Sequence, residues 1–251
     1  MSLMNLSSLL EWQVESFRLS LFAPDISESA TDIWQLIAGQ PPDRSESRIR
    51  EQITQAIGPF KKGNLVVVTQ PTRLDCLYLT PEPNNATIGL VETEIDDFRT
   101  LAHALLMRPY KGIARIAFGV ILVLRVNDYA DAHDKLLLSL KSVTLSPESL
   151  EDFLYRVNRP HKSEIMQNTK INCLSQWSVQ RVESGPISMD ESQSKLIMRP
   201  NSVIYNCKLE LDINNAPDTN SQQILASTDL KKLFEEFVDI GIRIAKQGEL
   251  L

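Results

Sequence analysis

An α+β fold is predicted for this chain, with antiparallel or mixed sheets and helices set out as two tandem β-α-β-β-α units. Three observations predict it. The order strand, helix, two strands, helix reads from Trp12 to Met107, and the same order reads again from Ile113 to Gln247. Runs that alternate apolar and polar residues mark the strands, and apolar residues three and four apart mark the helices. A long apolar stretch, Gly112 to Asn127, lies where the units meet and serves as a shared central strand. With it the first unit closes as strand-helix-strand-strand-helix-strand, the ferredoxin-like order. The expected lobes are residues 1–111 and 112–251, either separate or one continuous domain joined by strand 113–127.

Trp12 to Phe22 alternates, with Phe17, Leu19 and Leu21 on one side and Ser16, Arg18 and Ser20 on the other, as in a half-buried strand. Ser29 can cap the following helix, with Asp32 three residues on as an imperfect capping box. That helix carries Ile33, Trp34 and Ile37 and stops near Gly39, before Pro41 and Pro42. Glu46 to Ile57 reads as a short charged helix with Ile49, Ile53 and Ile57 in one line, ended by Gly58-Pro59. Leu65–Thr69 and Leu74–Leu79 are strands about a Pro71 turn, and Pro81 to Asn85 is a loop. A helix starts at Thr93, places Ile95, Phe98, Ala102 and Leu105 on one stripe, and is closed by Pro109.

The central strand has one wholly apolar face, Ala114, Ile116, Phe118, Val120, Leu122, Leu124 and Val126. The other carries Arg115, Ala117, Gly119, Ile121, Val123 and Arg125, and Gly119 predicts a bulge or bend. Asp128 to Leu140 is a helix with acids toward its positive N-terminal end. Ser146-Pro147-Glu148 begins another short one. Lys170–Val182 and Val203–Ile213 are the last two strands, the second cleanly alternating, which implies an antiparallel sheet with one wet face. Polar stretches Glu183 to Ser202 and Asn214 to Gln223 are loops, the first long enough to suggest mobility or function. The last helix buries Leu230, Leu233, Phe234, Phe237, Val238, Gly241 and Ile244, with Lys231–Glu235, Lys232–Glu236 and Asp239–Arg243 at ion-pair spacing.

With 251 residues, 43% of them apolar and 23% charged, the chain can bury a full core as a globular protein. Its formal charge of −6 argues against a sequence-blind grip on nucleic acid, which needs clustered Lys and Arg. Cys76, Cys173 and Cys207 are far apart on alternating strands and read as small buried hydrophobes in a reducing cytoplasm. Residues 1–10 lack the basic start and apolar run of a signal peptide, and 116–124 is too short to span a bilayer as a helix. A cytoplasmic protein without membrane attachment is expected.

No phosphate-binding glycine loop, dinucleotide fingerprint, nucleophile elbow or zinc-protease motif occurs. His103, His133 and His161 have no ligand spacing; His133 reads as a core histidine and His161 as a solvated loop residue. No cofactor, metal site or catalytic residue is assigned. Asp75, Glu210 and Asp212 lie on strands, the last two on one face, where acids could hold a magnesium ion for phosphodiester hydrolysis; the competing reading is a solvated sheet face. Glu92, Glu94, Asp96 and Asp97 complement a helix dipole. Arg115 and Arg125 flank the small residues Ala117 and Gly119, so each either binds a carboxylate or phosphate or pairs with a structural acid.

Arg115-Ile116-Ala117-Phe118, running on to Asn127, resembles the Arg-Ile-Gly-Leu-Arg-type central strand, ending in Asn, of a sporadically distributed bacterial family of about this length. Here Gly119 stands where the second arginine would be, and the strand is longer. Leu209-Glu210-Leu211-Asp212 followed by the Leu230 to Phe237 helix is similar to that family's C-terminal end. The resemblance covers most of the chain in order. It implies no established activity, adds Asn127 to the candidate binding residues, and suggests an accessory role among mobile and defence-related genes.

The function expected is a non-enzymatic protein-interaction subunit or regulator, its partner held by the polar stretch with Ser188, Asp190, Glu191 and Lys195. A nucleic-acid-binding module and a metal-dependent phosphodiester hydrolase are the alternatives. A homodimer is compatible with either binding role.

Overall fold

The structure, a computed structural model, describes residues 10–81, 86–144, 153–167, 169–190, 195–198, 200–216 and 225–249, with backbone alone at 187–190, 195–198 and 216. It is an α+β protein dominated by one antiparallel sheet. β1 (Gln13–Phe22) leads to α1 (Ala30–Ala38), where Ser29 accepts a hydrogen bond from the Asp32 backbone N–H and Gly39 ends the helix at φ 71°. There follow β2 (Arg44–Arg48), β3 (Ile53–Phe60), β4 (Gly63–Gln70), β5 (Arg73–Leu79), the short β6 (Gly89–Leu90) and α2 (Val91–Leu106). The second half contains β7 (Arg115–Val126), α3 (Tyr129–Ser139), β8 (Leu154–Asn158), β9 (His161–Lys162), β10 (Lys170–Ser184), β11 (Ile187–Asp190), β12 (Lys195–Met198), β13 (Ser202–Ala216) and α4 (Ser227–Gln247).

The main sheet has the order β2-β3-β4-β5-β1-β7-β13-β10-β8, with β6 beside β1 and β9 beside β10. β7 pairs antiparallel with β1 on one side and with β13 on the other, so strands from both halves of the sequence meet at mid-sheet. All four helices lie against the same face. Phe17 of β1 stacks on Phe98 of α2, and Phe118 of β7 meets Phe234 of α4 edge-on. The Cys207 thiol of β13 donates to the Ala132 carbonyl of α3, and the Trp34 indole N–H of α1 donates to Leu65 of β4 at 3.0 Å. One hydrophobic cluster contains all of these contacts. Each large apolar side chain in it contributes roughly 1.5–3 kcal/mol by leaving water.

Four expectations are corrected. Glu46 to Ile57 is not a helix but most of the β2–β3 hairpin, with Arg48 opposite Ile53 and the turn residue Gln52 at φ 53°. A spacing of four is even, so isoleucines four apart share a face on a strand as well as on a helix. The register break lies not at Gly119 but in β1, where Val14 faces Leu122 and Ser16 faces Ile121, leaving Glu15 as the extra residue. The polar stretch 183–202 is not one loop: β10 and β13 stay paired out to Ser184 and Ser202, and β11 and β12 form a second two-stranded sheet beyond them. The acids of α4 turn away from their helical neighbours. Glu235 and Asp239 pair with Arg99 of α2, and Glu236 accepts from Ser163 and the Glu164 N–H. The helix expected at Ser146 lies outside the described residues. Among the described residues no helix is long and apolar enough to cross a membrane.

Candidate interaction surface

Strand alternation sends every second side chain to the face that the helices leave uncovered. Cross-strand register orders these side chains into rows. In the first row, Phe22 faces Arg73 on β5 and Arg115 on β7. Both guanidinium carbons lie over its ring, 5.3 and 4.9 Å from the centroid, and are held there by the ring quadrupole. In the next, Ser20 donates to Asp75 Oδ1 at 2.5 Å while Arg73 Nε lies 2.7 Å from Asp75 Oδ2.

The third row explains the glycine of the central strand. Arg18, Gly119 and Asp212 are direct neighbours across β1, β7 and β13. The Arg18 guanidinium lies over Gly119 and donates to Asp212 Oδ2 at 2.8 Å. A Cβ at Gly119 would stand 3.2 Å from Arg18 Nε and Nη2, so a side chain there would require the guanidinium to give by a few tenths of an ångström. The space that the small residues leave is therefore filled by an arginine of the neighbouring strand.

Farther along, Lys208 Nζ sits 3.3 Å from Glu210 and 3.9 Å from Glu15. The last full row is Arg125, Asn206 and Gln180, side by side on β7, β13 and β10. They line a recess of about 380 Å³ with Gln13, Glu15 and Thr87. Arg115, Arg125 and Arg156 have no carboxylate within ion-pair distance among the described residues. The face thus mixes apolar side chains such as Leu77, Ile121 and Leu174 with paired and unpaired charges.

No protein-family model matches the chain, and no curated protein matches it significantly.

Arg115 and Arg125 share the uncovered face but stand ten residues apart, roughly 33 Å along an extended strand, so they do not form one site. Asn127 lies past the strand, where its backbone and amide N–H groups donate to Asp131 at 3.0 and 2.9 Å and fix the start of α3. Of the expected partner-binding residues, Ser188 and Asp190 are in β11, Lys195 is in β12, and Glu191 lies outside the described residues. Asp75 and Asp212 stand on strands three apart, about 14 Å. Asp75 is engaged by Ser20 and Arg73, Asp212 by Arg18, and Glu210 by Lys208. Among the described residues no group of three His, Cys, Asp or Glu side chains could hold a metal ion. His103 contacts Glu235, and His133 Nδ1 is 3.3 Å from Asp134. All three cysteines are buried and free; burial raises Cys173 to about 11 and Cys207 to about 12.

Sequence reasoning missed a buried ionic cluster on the helix side. Glu249 is 1% exposed and accepts from Tyr155 at 2.7 Å, from Arg159 Nε at 3.0 Å and from Ser142. Burial alone would raise its carboxyl, but the Ser142, Arg159 and Tyr155 hydrogen bonds and the Arg159 charge outweigh that and lower it. The cluster borders a cleft of about 600 Å³ with His161, Cys173, Ser175 and Arg243. Nothing in the local sequence signals it, because its members come from three separate segments.

Proposed function

We propose that this protein is a non-enzymatic interaction subunit or regulator that docks a partner protein on the uncovered face of its sheet. One observation carries the reading: all four helices pack on one side, and among the described residues no layer covers the other. A broad face that sets apolar side chains between paired and unpaired charges offers a protein partner both area to bury and charges to match. The β10–β13 ribbon, continued by β11 and β12, offers a second contact element through Ser188, Asp190 and Lys195.

We read the architecture as two tandem β-α-β-β-α units back to back. The order β4-β5-β1-β7 supports a ferredoxin-like first unit, with the β2–β3 hairpin inserted after α1. The order β10-β13-β7 supports a second unit that begins on the shared strand. The resemblance of 115–127, and of 209–212 with the 230–237 helix, to the sporadic bacterial family suggests such a subunit in a bacterial multi-protein system, with defence as one setting.

Nucleic acid is the second reading, favoured by Arg115, Arg125 and Arg156, which face the open side with no carboxylate partner among the described residues. Against it stand the interleaved acids Glu15, Glu210 and Asp212 and an aromatic, Phe22, whose ring is already taken by two guanidiniums.

The test is affinity capture of the tagged protein from its host, with three baits: wild type, a deletion of Ser188–Lys195, and Arg156→Glu. A stoichiometric protein that is lost from either variant, both still folded, supports the reading. Co-purifying nucleic acid with a steep salt dependence, or a partner that all baits retain equally, overturns it.

A further inference from the structure

We infer that the recess around Asn206 is a binding pocket for a peptide carboxylate, and that Arg125 is its anion-binding residue. The inference rests on the protein-docking reading and names what one part of the surface takes.

The first observation is the state of Asn206. Its residue is 7% exposed, lines the recess, and makes no side-chain hydrogen bond to any described residue. The residue as a whole is mostly buried, yet its amide atoms are not shut away from solvent and can be reached from the recess. An amide left open at the floor of a pocket is an unused donor and acceptor facing the ligand space. Asn206 is no accident of a loose loop, because it sits within the β7–β13 ladder, between Arg125 and Gln180.

The second observation is the set of groups around it. Arg125 is exposed and carries no carboxylate partner among the described residues, so its five N–H donors are free. Gln180, next in the row, is likewise unpartnered. Gln13 is occupied, accepting from Thr87 at 3.2 Å. The wall is completed by Val123, Val182 and Ile204. The pocket therefore offers a guanidinium, two amides and an apolar wall within about 10 Å, two interstrand steps. A chain terminus presents groups that suit these: a carboxylate, the side chain on the adjacent Cα, and then an amide N–H and C=O.

Charge narrows the ligand further. Glu15 shares the recess with Arg125, and its nearest cation, Lys208, is 3.9 Å away and closer to Glu210. A neighbouring carboxylate repels a doubly charged phosphate more than a singly charged carboxylate. Glu15 can also accept from a peptide N–H, which a nucleotide phosphate does not offer. At about 380 Å³ the recess holds one or two residues.

The experiment is amide-detected NMR of the full chain, following the Asn206 and Gln180 side-chain NH2 signals. Three probes are titrated: N-acetyl-Gly-Gly, N-acetyl-Gly-Gly amide and sodium phosphate. So small a ligand should bind with a dissociation constant on the order of millimolar. Saturable shifts of both NH2 signals are expected with the free acid, and binding about tenfold weaker for the amide form. Arg125→Gln, a change at an exposed residue, should weaken free-acid binding by about tenfold while its spectrum stays dispersed. Absence of saturation by the free acid, equal binding of acid and amide, tighter binding of phosphate, or unchanged binding by Arg125→Gln overturns the inference. Replacing the probe by N-acetyl-Glu amide separates a chain terminus from an acidic side chain: equal binding of the two overturns the assignment to the terminus. The capture experiment reads none of these signals, so the pocket and the docking reading fail independently.

Discussion

Glu249→Gln tests whether the C-terminal segment is held by charge. The carboxylate is 1% exposed, whereas its main partner Arg159 is 38% exposed. Hydrogen bonds to a charged group are worth about 1.5–3 kcal/mol each, and removing one member of a fully buried ion pair costs about 3–5 kcal/mol. Because Arg159 can turn its guanidinium to water, the expected loss lies below that range, at about 2 kcal/mol. For a chain of this size that is a fall of roughly 4–8 °C in Tm. Glutamine keeps the shape and can still accept from Tyr155, so the loss measures the charge and not a cavity.

The pH dependence makes the test sharper. The Glu249 carboxyl is lowered in the folded protein by its donors and by Arg159. A lowered folded value means that the stabilisation is fully present above the unfolded carboxyl value, about 4.3, and is lost as pH falls through the folded value. Urea unfolding of wild type and Glu249→Gln should therefore show a constant gap from pH 7 to 5. The gap should close as the pH drops further, where glutamate becomes neutral like glutamine. A variant as stable as wild type at pH 7, or a gap that persists undiminished in acid, would refute the reasoning. Gly248 supports the same turn: it has φ 82°, and a Cβ there would meet the Ser139 carbonyl oxygen at 2.2 Å.

Two further outcomes are expected. Trp34→Ala should destabilise by about 3–5 kcal/mol in urea unfolding, since the indole is wholly buried over β3 and β4 and its N–H binds Leu65; a loss below about 1 kcal/mol would mean that α1 does not pack there. The three thiols should resist a thiol reagent at pH 8–9 in the native protein and react at once in denaturant. Burial raises them, so the unfolded chain ionises first and stability falls as pH climbs past the unfolded thiol value, about 8.5. Rapid native labelling at Cys173 or Cys207 would contradict that.

Much of the fold was legible along the chain because each signal was local. The alternation of β1, β7 and β13, the Ser29 and Gly39 ends of α1, and the apolar stripe of α4 all emerge where the sequence puts them. These need only a period and a cap, which neighbouring residues supply. The β2–β3 hairpin was illegible for an equally local reason: its turn contains no glycine, and isoleucines four apart suit both periods. β8 was missed because five residues pair with β10 at a sheet edge without a buried face to mark them.

The site was less legible. Arg115 and Arg125 could be placed on one face of the central strand, because alternation fixes sidedness. What each meets there depends on strands distant in sequence. Arg18 crosses Gly119 to Asp212, 194 residues away, and Asn206 comes to lie between Arg125 and Gln180 only through sheet register. By itself, then, the sequence determined the elements, their apolar faces and the burial of the cysteines, since these follow from short-range periodicity. Tertiary structure alone decided the strand order, the gathering of the helices on one face and the partners of each charge, because register between distant strands is set by how their buried faces pack together.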